Sequence, residues 1–137
     1  TVVSKEINKK DSVIPGAEKL IEQGVQAFAI PLDTYYGMRN NQAANELAGV
    51  TTPRKIPVFS FALMKVPGGI IYIGSDFEVI GSLSGGHAAK ILNDGVEPGN
   101  LPVLKQEELK IYVDTKQMQT LGLELPMEIL QIAESIE

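Results

Sequence analysis

Residues able to do chemistry collect at three places along the chain. Asp33-Thr34 follows the apolar run 25–30, Ser60 lies inside the run 56–61, and Ser75-Asp76 follows the run 70–73. Carboxylates and hydroxyls at such positions accept hydrogen bonds from an ammonium or hydroxyl group of a small solute. Tyr35, Tyr36, Phe61 and Phe77 adjoin them and can supply apolar walls. Each acid also has a plainer reading. Asp or Thr after a strand commonly caps the next helix, so Asp33 can cap one helix and Asp76 the helix starting near Glu78. From spacing alone capping is the commoner role, and the two roles can coexist.

Other chemistries find little support. The chain has no cysteine, which removes disulfides, thiolate metal sites and Cys nucleophiles. His87 is the sole histidine, so neither a His metal cluster nor a catalytic triad can form around it. Ser84-Gly85-Gly86-His87 lacks the Gly-Lys-Ser/Thr ending of a phosphate loop and falls within a helical stripe. Close helix packing through Gly81, Gly85 and Gly86 is the expected use of those glycines. Ser60 lacks the Gly-x-Ser-x-Gly setting of a hydrolase nucleophile, and Glu107-Glu108 reads as solvated surface. The expectation is therefore no enzyme, no cofactor and no metal.

The 137 residues amount to one domain, 44% apolar and 21% charged, with a formal net charge of −5. The largest basic groupings are the pairs Lys9-Lys10 and Arg54-Lys55, too few for a nucleic-acid or anionic-membrane face. No apolar run approaches the roughly 20 residues of a membrane-spanning helix. Thr1 follows no leader sequence, which leaves mature, truncated and intracellular readings open.

These residues must be held by alternating strands and helices. Val2-Val3 suits the end of a strand. Asp11 or Ser12 can cap a helix whose stripe is Val13, Ala17, Leu20 and Ile21, with Pro15 in its first turn and Gly24 at its end. The strand 25–30 follows, then a helix over about 36–47, a strand over 56–61, the turn Pro67-Gly68-Gly69 and a strand over 70–73. A helix over about 78–92 presents Ile80, Leu83, His87 and Ile91 inward. Gly95 and Pro98-Gly99 stop it. Next come a strand over 109–113, a short helix capped by Asp114 or Thr115 and stopped by Gly122, and a last helix with the stripe Leu125, Ile129, Ile132, Ala133 and Ile136. This order predicts an α/β fold with a mainly parallel sheet and helices on both faces. In such folds ligands sit outside the carboxyl ends of the strands, where Asp33, Ser60 and Asp76 would share one edge.

An ordered series of short motifs carries a resemblance. It comprises Pro31-Leu32-Asp33-Thr34, Asn45, Lys55-Ile56-Pro57-Val58-Phe59-Ser60 and Gly74-Ser75-Asp76-Phe77-Glu78-Val79-Ile80-Gly81. It continues through Ala88-Ala89-Lys90-Ile91-Leu92, Leu101-Pro102-Val103, Leu121-Gly122-Leu123-Glu124-Leu125-Pro126 and Ile129-Leu130. Over nearly its whole length the chain resembles the carboxyl-terminal half of the ABC-transporter substrate-binding family. The resemblance implies one lobe of a type I periplasmic-binding-protein fold, in which two α/β lobes close on a solute. It implies Asp33, Thr34, Ser60, Asp76 and Phe77 as ligand-binding positions. It also implies a small polar solute such as an amino acid, an ABC permease as partner, and an extracytoplasmic location, periplasmic or as a membrane-anchored lipoprotein. Thr34 stands where the family usually has Asn, and Leu32 where a small polar residue is common.

Two other functions share these features in part. An effector-binding domain of a transcription regulator uses the same fold, but no helix-turn-helix is present in the sequence. A small α/β enzyme would need a convergent nucleophile, base or cofactor loop. On the binding-protein reading, residues 1–137 are a single lobe and the helix within 78–95 belongs with the opposite lobe. Without that lobe, exchange of this helix between two copies is a remedy. In the two-lobe protein, Asp76→Ala is expected to weaken binding more than Ser60→Ala.

Overall fold

Pro15 sets the first turn of α1 (Ile14–Glu22) in the computed structural model, which describes residues 1–8, 10–37 and 40–136. The amino end of α1 is capped from elsewhere in the chain. The Val13 N–H donates to Glu46 Oε2 at 3.1 Å and the Ser12 hydroxyl donates to the same oxygen at 2.6 Å. Ser12 Oγ also accepts from the Ile14 N–H at 3.2 Å, while Asp11 accepts from the Asn8 amide instead. Gly24, with φ of 82°, turns the chain out of the helix toward β1 (Phe28–Ile30). Val2 and Val3, expected to end a strand, are irregular and exposed.

Where one helix was expected over 36–47, the structure has α2 (Thr34–Gly37) and α3 (Gln42–Thr51). Asn40 and Asn41 both take positive φ, 55° and 58°. Asn tolerates this conformation and a helix does not, so the run is cut there. Met38 and Arg39, within the expected helix, and Lys9 of the basic pair lie outside the described residues. A short 3₁₀ turn, Thr52–Arg54, leads to β2 (Val58–Ser60) and then β3 (Gly69–Gly74). The long helix α4 (Phe77–Asp94) ends at Gly95 in a left-handed cap. Then follow β4 (Lys110–Asp114), α5 (Thr115–Leu121), α6 (Met127–Ile132) and β5 (Glu134–Ile136).

The last helix is shorter than its stripe predicted. It stops at Ile132, Ala133 is extended, and Ile136 lies in a strand parallel to β4. A short isolated helix is costly to nucleate, and pairing of residues 134–136 with an existing strand competes successfully with continuing it. Leu125 and Ala133 still pack inward, but Ile132 is exposed.

The strands lie in the order β1-β2-β3-β4-β5. β1, β2 and β3 are mutually parallel, β4 runs antiparallel to β3, and β5 is parallel to β4. Adjacent residues of a strand point to opposite faces. Tyr72 accordingly joins a core with Val13, Ala17, Ala44 and Leu47 of the α1–α3 side. Ile71 joins another core with Val113 and with Met118 and Leu121 of α5. The α/β sheet with helices on both faces is thus present, with one antiparallel pair.

Helix α4 stands apart. None of its residues is buried, and Leu92 is 81% exposed. Ile80, Leu83, His87 and Ile91 form its least exposed stripe, as the spacing predicted, but they are only half-buried. The expected close packing through Gly81, Gly85 and Gly86 does not occur within this chain: a Cβ at any of the three would meet nothing within 4 Å. Among the described residues, His87 Nε2 is a buried polar side-chain atom without a partner.

Candidate functional site

Ile30, Ser60 and Tyr72 are register partners across β1, β2 and β3. Because these strands are parallel, their carboxyl ends open on one edge. Asp33 and Asp76 therefore lie at that edge, and Ser60 is the last residue of β2. The antiparallel β4 begins at the same edge, since Lys110 pairs with Gly74.

The two carboxylates at the edge differ in what remains free. Asp33 is exposed, and its Oδ1 accepts from the Tyr35 N–H at 2.8 Å while its carbonyl accepts from the Tyr36 N–H at 3.2 Å. It caps α2, and among the described residues its Oδ2 has no hydrogen-bond partner. Asp76 caps α4 through Oδ1, which accepts from the Glu78 N–H at 2.9 Å. Its Oδ2 lies 2.9 Å from Lys110 Nζ, and Lys110 reaches Glu134 at 3.8 Å. The Asp76 N–H donates to Gln106 Oε1 at 2.8 Å, and the Gln106 amide donates in turn to Glu108 O. The hydrogen bond from Lys110 holds the Asp76 carboxyl below its ordinary range, helped by the Glu78 N–H. Asp76 raises Lys110 in return.

The remaining positions named from sequence take different places. Thr34 is the first residue of α2 and is exposed. Ser60 is 3% exposed, beneath the edge rather than on it. Phe77 opens α4 and is 65% exposed. With Phe61 and Leu32, also exposed, it gives an apolar side chain at or beyond each of the three strand ends. The two tyrosines, expected as walls, are engaged elsewhere. Their rings meet edge to face at 5.2 Å, the Tyr35 hydroxyl donates to Asp11 O at 2.8 Å, and Tyr36 packs against the core. Burial raises the Tyr36 hydroxyl above its ordinary value.

Lys110 and Gln106 were not singled out from sequence as members of this edge. Lys110 reaches Asp76 through strand register, which spacing does not display; Leu32 was visible beside Asp33 and only its exposure is new. Among the described residues no group of His, Asp and Glu could hold a metal ion, and no helix is long and apolar enough to cross a membrane.

The family model for ABC transporter substrate binding proteins matches residues 1–137. Among solved structures, a conserved domain protein from Vibrio cholerae is similar at 25% identity and a TM-score of 0.69, covering 91% of this chain and 41% of that one. The ligand-free, open structure of CD0873, a substrate binding protein with adhesive properties from Clostridium difficile, is similar at 23% identity and a TM-score of 0.69, with 91% and 40% covered. The ABC domain from Streptococcus pneumoniae in complex with L-Trp is similar at 21% identity and a TM-score of 0.68, with 91% and 42% covered. The chain thus spans about two-fifths of the length of these structures. No curated protein matches it.

Proposed function

Since the chain belongs to the ABC transporter substrate-binding protein family, we propose that it forms one lobe of a solute-binding protein serving an ABC importer. It binds rather than catalyses, and its partners are a small polar solute and the permease. The location that goes with such a role is outside the cytoplasm. The observation that carries this reading is the shared edge of β1, β2 and β3. That edge carries Asp33, a carboxylate with one oxygen unpartnered among the described residues, and the exposed apolar side chains Leu32, Phe61 and Phe77 at or beyond the strand ends. A carboxylate beside apolar walls suits a solute with an ammonium group and an apolar part. An amino acid is such a solute, and L-Trp in the Streptococcus pneumoniae structure supports that choice.

Asp33 is the leading contact, with Thr34 and Phe77 beside it. Asp76 acts first as the cap of α4 and partner of Lys110, and Ser60 as a packed residue under the edge. The opposite wall of the cleft comes from a second lobe, with which α4 packs. Calorimetric titration of the complete gene product with a panel of amino acids tests the reading. Saturable binding that Asp33→Ala weakens supports it, and no binding across polar and aromatic amino acids overturns it.

A further inference from the structure

Gly37 stands one helical turn after Asp33, roughly 6 Å along α2. A Cβ at Gly37 would run into Cε of Met64 and lie 3.2 Å from its sulfur. The Met64 thioether therefore rests on bare backbone, in a seat that any side chain at residue 37 would fill. Met64 itself remains 44% exposed, and Phe61, just past the end of β2, is 54% exposed. The backbone that carries Met64 is fixed from several sides. The Phe61 N–H donates to Ile30 O at 3.0 Å. A Cβ at Gly74 would lie 3.3 Å from Ala62 Cα and Leu63 N, so this stretch runs close against the end of β3. Leu63 packs on the α1–α3 core, Lys65 Nζ lies 2.8 Å from Asp114, and Val66 is 3% exposed. A pinned backbone thus presents an unbranched side chain with three rotatable bonds, which adapts its shape to what lies beside it.

We propose that Met64 is the residue that sets the size of apolar side chain the site accepts. This rests on the reading of Asp33 as the contact for the ammonium group of an amino acid. One helical turn from that carboxylate, the thioether on Gly37 forms an adjustable wall for the apolar part of the solute. Seated, it leaves room for a large side chain. Driven off Gly37, it swings outward, because the core closes its inner side, and occupies that room.

Gly37→Ala removes the seat and keeps the fold. Gly37 is helical without positive φ, Ala is the better helix former, and the atoms displaced are the end of a flexible side chain. The complete gene product is titrated calorimetrically with apolar L-amino acids from alanine to tryptophan. The expected result is that Gly37→Ala weakens binding of L-Phe and L-Trp at least about tenfold more than binding of L-Ala. In a Met64→Ala background the same change should leave that ratio within about twofold, since no thioether is left to displace. An unchanged ratio in Gly37→Ala overturns the proposal. So does an equal shift in the Met64→Ala background, because the added methyl group then acts by itself. A parent protein that binds these solutes with no such shift sinks the role of Met64 alone. A parent that binds none of them sinks the reading of Asp33 as well.

Discussion

Asp76 and Lys110, 34 positions apart in the chain, meet at 2.9 Å because Gly74 and Lys110 are register partners in the antiparallel pair of β3 and β4. With Oδ1 already accepting from the Glu78 N–H, both oxygens of Asp76 are engaged inside the protein. Asp33, on the same edge, has one oxygen without a hydrogen-bond partner among the described residues. That difference ranks the two acids for solute contact.

In the two-lobe protein proposed above, Asp33→Ala should weaken binding of a cationic or zwitterionic solute by roughly 1.5–3 kcal/mol, the usual worth of a charge-assisted hydrogen bond. Asp76→Ala should act mainly on stability, through loss of a cap worth about 1 kcal/mol. Calorimetry and thermal melting on both variants separate these effects. A larger loss of affinity for Asp76→Ala than for Asp33→Ala would overturn this ranking.

The lobe by itself should bind its solute no tighter than roughly millimolar, about −4 kcal/mol. One wall supplies half the contacts and leaves the solute wet, while the loss of translational freedom is not halved. Titration of residues 1–137 against the complete protein checks this. Micromolar affinity in the isolated lobe would contradict it.

Helix α4 offers a test whose sign depends on its surroundings. If Gly85 is exposed in the complete protein, Gly85→Ala should stabilise it by up to about 1 kcal/mol through helix propensity. If a second lobe packs closely on that face, as proposed, the same change should lower the melting temperature. A Cβ at Gly85 would meet nothing within 4 Å among the described residues, so a destabilising result points to a neighbour outside them.

Much of this fold was legible. Strong punctuation marked the elements well: Gly24, Gly95 and Gly122 all sit at helix ends with positive φ, and Asp33, Asp76 and Asp114 all cap the helices that follow them. What failed depended on distant partners. Residues 134–136 leave helical geometry because β4 is there to pair with, and Ser12 binds α1's amino end together with Glu46, a residue 34 positions away. At the edge, sequence supplied the acids and the aromatics but not which were already occupied. Tyr36 turned into the core and Asp76 toward Lys110, outcomes fixed by packing and register.

Tyr72 is 0% exposed, and its hydroxyl donates within reach of Val66 O at 3.0 Å and Gly69 O at 3.1 Å. Burial pushes its pKa up to about 12. Tyr72→Phe removes the hydroxyl hydrogen bonds to two buried carbonyls, of which Val66 O keeps the Gly69 N–H at 3.2 Å, and should cost about 1 kcal/mol. A urea midpoint that falls with unchanged slope is the expected reading.

Stability should also fall in acid. Asp114 is nearly buried, and burial alone would raise its pKa, but Lys65 at 2.8 Å and the Gln117 N–H outweigh that and lower it below 3.8. A depressed carboxyl contributes stability above its unfolded value, which is lost as the pH falls through the folded one. Urea midpoints from pH 7 down to about 2.5 should therefore drop below pH 4. Asp114→Asn should flatten that drop while lowering the plateau.

The chain leaves the sheet after Gly74 and returns at Lys110, directly opposite. Any pull on α4 is therefore delivered to the end of the β3–β4 ladder, where it peels hydrogen bonds one after another instead of shearing them together. The Asp76–Lys110 contact lies at the point where that peeling starts. It works as a rivet at the mouth of a seam, and tension from α4 loads it before any rung of the sheet.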